Sequence, residues 1–106
     1  FADQKLQKQI SSQTKLIKKH GVIRANRISR HLHNLSAAGT LEEMRFLPGR
    51  CHELKENRSG QFALDIDHPY RLIFKPHHTP IPRNDSGSIV WNQVTAVIIL
   101  GVEDYQ

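Results

Sequence analysis

The chain has 106 residues, which is enough for one compact domain (1–106) and too short for two domains with separate cores. Its composition, 38% hydrophobic and 24% charged, is that of a globular protein and excludes a disordered chain. The formal charge of +5 and the pI near 9.7 predict an acidic or polyanionic partner, such as nucleic acid, the ribosome or an acidic protein.

The sequence also predicts a cellular location. The longest apolar stretch, Val94 to Leu100, is far too short to span a bilayer, and no signal peptide is visible. Cys51 is the only cysteine, so an intrachain disulfide is excluded. We therefore expect a cytoplasmic protein that does not enter a membrane.

Positive charge is concentrated at the start of the chain. The first 35 residues hold eight Lys or Arg residues and one acid, Asp3. Their apolar spacing predicts a short helix over Ala2 to Ile10 and a continuation over Thr14 to His20, with Gly21 as a stop.

A longer helix is predicted over Ile23 to Ala38. Its apolar stripe consists of Ile28, Leu32 and Leu35. A second, basic face carries Arg24, Arg27, His31 and Asn34 at the same spacing. Such a face is usually solvated, but it also suits phosphate groups or an acidic segment of a partner.

The following segments change from helical to strand patterns. Thr40 and Glu43 have the spacing of a capping box, which predicts a short helical turn. Alternating apolar residues then predict strands over Gln61 to Asp67 and Tyr70 to Lys75, joined as an antiparallel hairpin.

The β-branched run from Val94 to Leu100 predicts a central strand. The Pro- and His-rich segment 76–92 before it is too long for a hairpin loop, so we expect it to be either mobile or functional. Helices followed by a strand meander predict an α+β fold with the helices packed on one face of the sheet.

Seven histidines raise the question of a metal site. Neither His31 with His33 nor His77 with His78 has the i, i+4 spacing of a helical zinc pair, and no cysteine pair completes a site. The sequence also lacks a phosphate-binding P-loop and a serine-nucleophile motif. We therefore expect neither a metal nor a cofactor.

Polar residues around the predicted strands form the candidate site. They are Arg50, His52, Lys55, Arg58, Arg71, Asp104 and Tyr105. Arg71 lies on a strand that otherwise has a core pattern, where an unpaired cation is costly. It is expected either to pair with Asp65 across the hairpin or to bind a phosphate on the concave side of the sheet.

The segment from Leu47 to Phe74 resembles the central block of HigB-type toxins in the bacterial RelE/ParE superfamily. Those toxins have a Pro-Gly turn, a Leu-Lys-Gly-Asp-Arg stretch and a hairpin ending in an aromatic-Arg-hydrophobic-x-Phe strand. The ending Val102-Glu-Asp-Tyr is similar to their terminal Asp-Tyr-His, and the helical half agrees in position. The resemblance thus covers nearly the whole chain and implies a small antiparallel sheet with two helices packed across it.

Three departures from that family pattern are visible. Glu56 and Asn57 stand where the toxins have Gly and Asp, and Gln106 stands where they have a terminal His implicated in RNA cleavage. The insertion 76–92 is longer than in compact HigB toxins.

The resemblance implies a type II toxin that cuts mRNA on the ribosome without a metal. In that mechanism the ribose 2′-hydroxyl attacks the adjacent phosphate, which requires a base, cations and an acid. Phosphate binding is assigned to Arg58 and Arg71, and proton transfer to His52 or Lys55. Tyr105 is expected to stack on a base or orient the phosphate, and Asp104 to orient a neighbour.

The same resemblance implies a cognate antitoxin, bound in a toxin–antitoxin hetero-oligomer. The residues expected to bind the antitoxin, or RNA and the ribosome, are Arg24, Arg27, His31 and Arg50. Two alternatives remain open, because fold similarity alone does not separate them. One is a ParE-like gyrase inhibitor, and the other is a non-catalytic relative that binds an antitoxin or has a regulatory role.

Overall fold

Helix α1 spans Val22–Ala37 in the computed structural model, which describes residues 21–104. The helices predicted over 2–10 and 14–20 lie outside the described residues, as do Tyr105 and Gln106. Gly21, expected to stop the preceding helix, is the N-cap of α1 with a φ of 83°. Its positive φ suits glycine, which has no Cβ to clash with the backbone.

The apolar stripe of α1 is confirmed. Ala25 and Ile28 are fully buried, while Leu32 and Leu35 are partly buried against the same core. No helix within residues 21–104 combines the length and the hydrophobicity that crossing a membrane requires.

A 3₁₀ turn over Leu41–Phe46 follows the helix and confirms the predicted capping signal. The backbone N–H of Thr40 donates to the Glu43 carboxylate at 2.8 Å, which satisfies a donor at the start of the turn. The turn buries Leu41 and Met44 beneath α1.

The sheet has four antiparallel strands in the order β1-β2-β3-β4. They span His52–Glu53 (β1), Phe62–Asp67 (β2), Tyr70–Pro76 (β3) and Val97–Asp104 (β4). The hairpin predicted between β2 and β3 is confirmed. With one helix on this sheet, the described part of the chain is α+β.

The prediction of a central strand over Val94 to Leu100 is wrong in two respects. Strand β4 begins three residues later, at Val97, and it lies at an edge of the described sheet rather than in its centre. Val94 instead closes a 3₁₀ turn, and its carbonyl accepts the N–H of Leu41 at 2.9 Å. The buried side chain of Val94 therefore anchors a loop in the core. A run of β-branched residues does not by itself distinguish such a loop from a strand.

The core lies between α1 and one face of the sheet. Its aromatic centre is a stacked pair, Phe62 and Phe74, with ring centroids 5.8 Å apart, and Trp91 packs edge-on against Phe62 at 5.0 Å. The opposite face carries a smaller apolar cluster of Leu54, Ala63 and Ile73. The sheet is therefore apolar on both sides near its middle and becomes charged toward the β2–β3 turn.

The segment 76–92 is packed against the body of the protein. Ile89 is buried, and Ile81 and Trp91 contact the core beside it. The Asn84 side chain caps the outer turn by accepting the backbone N–H groups of Ser86 and Ser88, both at 3.0 Å. This packing argues against the expectation that the segment is a mobile loop.

Gly49 offers a test of how tightly the helix packs on the sheet. A Cβ added at Gly49 would lie 2.8 Å from Cε1 of His31 and 3.0 Å from Cδ2 of Leu64, at a φ of +115°. At Gly60 the φ is similar, +93°, but no atom lies within 4 Å of an added Cβ. We expect Gly60→Ala to lower the free energy of unfolding by about 1–3 kcal/mol through backbone strain alone. Gly49→Ala should cost about 1–3 kcal/mol more because of the clash.

Urea denaturation of both variants and the parent measures this difference. Equal losses of stability would show that α1 can move away from Gly49 at no cost.

Candidate functional site

Three charged residues align across the sheet near the β2–β3 turn. The strand register places Asp65 of β2 opposite Arg71 of β3, and Arg71 opposite Glu103 of β4. We call these three residues the charged row. Nε of Arg71 lies 3.0 Å from Oδ1 of Asp65, so the predicted ion pair across the hairpin is confirmed. Because opposed strand residues share a face, the row lies on the side of the sheet away from the main core.

An arginine from a neighbouring loop contacts each end of the charged row. Arg50 precedes β1, and its Nε donates to Oδ2 of Asp65 at 2.6 Å. Arg58, in the 3₁₀ turn Glu56–Arg58, binds Glu103 through two parallel hydrogen bonds of 2.9 and 2.8 Å. Cations and carboxylates therefore alternate, and three guanidinium groups share two carboxylates. A fork-shaped guanidinium matches a carboxylate or a phosphate equally well.

A cavity of about 120 Å³ opens beside the Asp65 end of the charged row, and we call it the turn cavity. Its lining residues are Arg50, Asp65, His68, Pro69, Tyr70 and Arg71. His68 is not among the predicted site residues, although the structure places it in the lining of this cavity with the two arginines. The available signal was its position in the turn between two strands that both carry candidate charges.

His52 lies on the same face of the sheet, since it pairs with Ala63, two residues before Asp65. Its Nδ1 is 2.7 Å from the carbonyl oxygen of Arg50. Because a carbonyl only accepts hydrogen bonds, Nδ1 of neutral His52 carries the hydrogen and Nε2 keeps a free lone pair. The geometry thus leaves Nε2 able to accept a proton.

The remaining predicted site residues are not all brought together. Lys55 is exposed in the loop after β1, and its carbonyl accepts the N–H of Arg58 at 3.2 Å. Asp104 pairs with Tyr70 rather than Arg71, so strand alternation places it on the opposite face from the charged row. Tyr105 lies outside the described residues.

The basic face of α1 packs against the end of β2. Arg24 pairs with Asp67 at 2.8 Å and stacks 3.8 Å above the Tyr70 ring, and Arg27 donates to the carbonyl of Ile66 at 2.9 Å. A register shift between Asp65 and Asp67 makes these contacts feasible, since it places Asp67 opposite Tyr70. This face is therefore not the fully solvated face that is usual for such a pattern.

His31 departs most from the expectation of a binding face, because its side chain is buried, with 4% exposed. Its Nε2 is 2.7 Å from the backbone carbonyl of Asp65 and therefore carries the hydrogen, while its buried Nδ1 has no hydrogen-bond partner among residues 21–104. Burial lowers the pKa of His31 below its ordinary value. The hydrogen bond to the Asp65 carbonyl and the Asp65 charge oppose this lowering, and the charges of Arg30 and Arg27 add to it. The available signal was its spacing, three residues after Ile28 on the apolar stripe.

Cys51 does not qualify as a nucleophile. Burial raises the pKa of its thiol to about 12, so the reactive thiolate is absent near neutral pH. Within residues 21–104, no group of three His, Cys, Asp or Glu side chains is arranged to hold a metal ion.

Comparison with known proteins adds no family assignment: no protein-family model matches the chain, and no curated protein matches it at a significant level.

The burial of His31 predicts a loss of stability in mild acid. The unfolded chain binds a proton at His31 near pH 6.5, whereas the folded pKa is lower. The contribution of His31 is thus fully present above pH 6.5 and is lost as the pH falls below that value toward the folded pKa. We expect the free energy of unfolding to fall by up to ~1.4 kcal/mol per pH unit through this group.

Urea denaturation of the parent and of His31→Gln between about pH 7 and about pH 5.5 checks this slope, since the amide can still donate to Asp65 but does not titrate. The variant should lose part of the pH dependence. His77→Gln, at an exposed histidine, is the matched control and should retain it. An unchanged slope in His31→Gln would contradict the assignment.

Proposed function

We propose that this chain is a toxin of the RelE/ParE type that cleaves mRNA on the ribosome without a metal. One observation carries the proposal: Arg50, Arg71 and His68 line the turn cavity, and His52 contacts the backbone carbonyl of Arg50 on the same face of the sheet. Cations and proton-transfer groups in one place are what cleavage by an RNA 2′-hydroxyl requires.

The positive charge available to a phosphate comes from two arginines whose charges one carboxylate neutralises only in part. Arg50 and Arg71 both contact the one carboxylate of Asp65, which leaves a net positive charge beside the turn cavity. The Arg50 side chain is 76% exposed, so it can turn from Asp65 toward an incoming phosphate. Arg71 is held more firmly in the sheet and would define the position of the phosphate.

Proton transfer in this proposal begins at His52. Its Nε2 takes the proton of the ribose 2′-hydroxyl, the 2′-oxygen bonds to the phosphorus, and the bond to the 5′-oxygen breaks. His68, which lines the turn cavity, returns a proton to the leaving 5′-oxygen. Lys55 is a second candidate for this step. Arg58 keeps Glu103 in line with Arg71 and so acts on position rather than on the phosphate.

The broader setting is part of the same proposal. The positive charge of Arg24 and Arg27 suits the acidic segment of a cognate antitoxin. These arginines lie next to the turn cavity, because Arg24 stacks on Tyr70, which lines that cavity. The fold proposed for the whole chain is the RelE/ParE fold, and the proposed location is the cytoplasm. The described α+β architecture agrees with this proposal at the level of fold class.

A second candidate function is binding without cleavage, as in a gyrase inhibitor or an antitoxin-binding regulatory relative. Two observations favour it. Arg50, Arg58 and Arg71 all contact carboxylates already, and Asp104 lies on the opposite face from them. A site of paired charges recognises a complementary surface as readily as it stabilises a transition state.

Single-turnover cleavage of ribosome-bound mRNA separates the two candidates. We expect cleavage to persist when EDTA removes trace metals while Mg²⁺ stays in excess for the ribosome. The products should end in a 2′,3′-cyclic phosphate and a 5′-hydroxyl. His52→Asn keeps an N–H donor at the position of Nδ1 for the carbonyl of Arg50 but removes the base, and should slow cleavage about 10²–10⁴-fold. Arg50→Ala should slow it about 10²-fold.

Arg83→Ala is the matched control, because Arg83 is an exposed arginine of the segment 76–92 whose side chain donates to the nearby carbonyl of Gly87. This variant should cleave like the parent. The absence of cleavage together with inhibition of gyrase supercoiling would favour the second candidate, and abolition by EDTA would contradict the metal-independent mechanism.

A further inference from the structure

Phe46 is the most exposed of the large hydrophobic side chains within residues 21–104. Its exposed fraction is 82%, compared with 68% for Ile23. The 3₁₀ turn that ends at Phe46 buries Leu41 and Met44, which lie three residues apart and therefore share one face of the turn. Phe46 follows Met44 by two residues and projects from a different face, so its ring takes no part in the core.

Positive charge flanks the Phe46 ring along the chain. The segment 45–50, Arg-Phe-Leu-Pro-Gly-Arg, leads toward β1 and contains no acidic residue. Arg45 forms an ion pair of 2.8 Å with Glu42, and its guanidinium stacks 3.6 Å above the Trp91 ring. The guanidinium next to Phe46 is therefore held in a fixed plane, although Glu42 neutralises part of its charge.

Three more arginines lie near Phe46. Arg50 follows four residues later, which limits the separation of the two Cα atoms to about 14 Å. It lines the turn cavity, and 76% of its side chain is exposed. Pro48, two residues after Phe46, lines a cavity between α1 and β2 together with Arg27 and Arg30, which are both exposed. The ring thus borders a basic surface that extends to the turn cavity.

This surface is positive on balance. The linings of the two cavities together contain four arginines and one carboxylate. The carboxylate is that of Asp65, and Arg50 and Arg71 already share it. A polyanion is therefore the partner that the charges beside Phe46 favour.

The size of the exposed apolar surface favours a nucleobase over a protein. A phenylalanine buries about 150–250 Å², whereas a specific protein interface needs about 800 Å² on each partner. Leu47, the neighbour of Phe46, is only 37% exposed and adds little. One base, by contrast, needs only the face of one aromatic ring, and cations beside that ring hold the backbone of the strand.

We infer that the Phe46 ring stacks on a base of single-stranded RNA, while the arginines around the segment 45–50 hold its backbone phosphates. The stacked base lies within a few nucleotides of a phosphate held at Arg50. Because every base has a face that can stack, Phe46 adds affinity for an unpaired strand rather than a preference for one sequence.

The choice of RNA as the ligand rests on the proposed function, but the inference does not require cleavage. Binding of a short, single-stranded 2′-O-methyl oligoadenylate to the full chain tests it. The methyl groups block attack by the 2′-hydroxyl, so binding is measured without cutting. Fluorescence anisotropy of the labelled oligonucleotide gives the Kd.

Phe46→Ala should raise the Kd for oligoadenylate about tenfold, because it removes the ring on which a base stacks. Phe46→Tyr keeps an aromatic ring and should bind like the parent. Ile23→Ala, at another exposed apolar side chain, is the matched control and should also bind like the parent. Circular dichroism checks that each variant is folded, which the exposure of both side chains leads us to expect.

An abasic oligonucleotide of the same length separates stacking from charge. It keeps the phosphates but offers no base, so the parent should bind it more weakly than oligoadenylate. Phe46→Ala should bind the abasic strand with the same Kd as the parent. Pairing oligoadenylate with a complementary strand should also remove the effect of Phe46, since the bases of a duplex are already stacked.

Two results would overturn the inference. One is parent-like binding of oligoadenylate by Phe46→Ala, and the other is an equal loss of affinity for oligoadenylate and for the abasic strand. RNA binding that depends on Phe46, without cleavage on the ribosome, would contradict the proposed cleavage and support the stacking site. Cleavage by the parent, together with parent-like RNA binding by Phe46→Ala, would contradict the stacking site alone.

Discussion

Asp65 joins the helix, the loop before β1 and the hairpin through different atoms of the same residue. Its backbone N–H donates to the carbonyl of Gly49 at 2.7 Å, and its own carbonyl accepts from the buried ring of His31 at 2.7 Å. Its carboxylate contacts Arg50 and Arg71. Because buried polar groups are costly when unpaired, these contacts define where α1 and the loop lie on the sheet.

The same junction determines how the positive charge of the chain is distributed. Asp65, Asp67 and Glu103 each hold an arginine near one end of the sheet. Four arginines contact these three acids. Arg24, Arg58 and Arg71 are held in place by their contacts, whereas the more exposed Arg50 can still turn toward an anion. Preorganised cations lose little freedom when an anion arrives, which is the property that binding or stabilising a phosphate requires.

Much of the local structure could be predicted from the sequence. The extent of α1, the capping signal at Thr40 and the β2–β3 hairpin depend on residue spacing within a few positions, and the structure confirms all three. The ion pair of Arg71 with Asp65 was one of two expectations, since both lie on one hairpin whose register follows from its alternation. Short-range periodicity is sufficient to predict such features, because the residues that form each of them lie close together in the sequence.

The sequence by itself determined the α+β class, the apolar faces and the overall basic charge, because these follow from composition and periodicity. Only the tertiary structure decided that β4 lies at an edge, that Asp104 faces away from Arg71, and that His68 lies beside two arginines. The burial of His31 also depends on β2, which is more than thirty positions away in the chain. These features depend on strand order, register and a bulge, which are set by contacts between distant segments and leave no periodic signal.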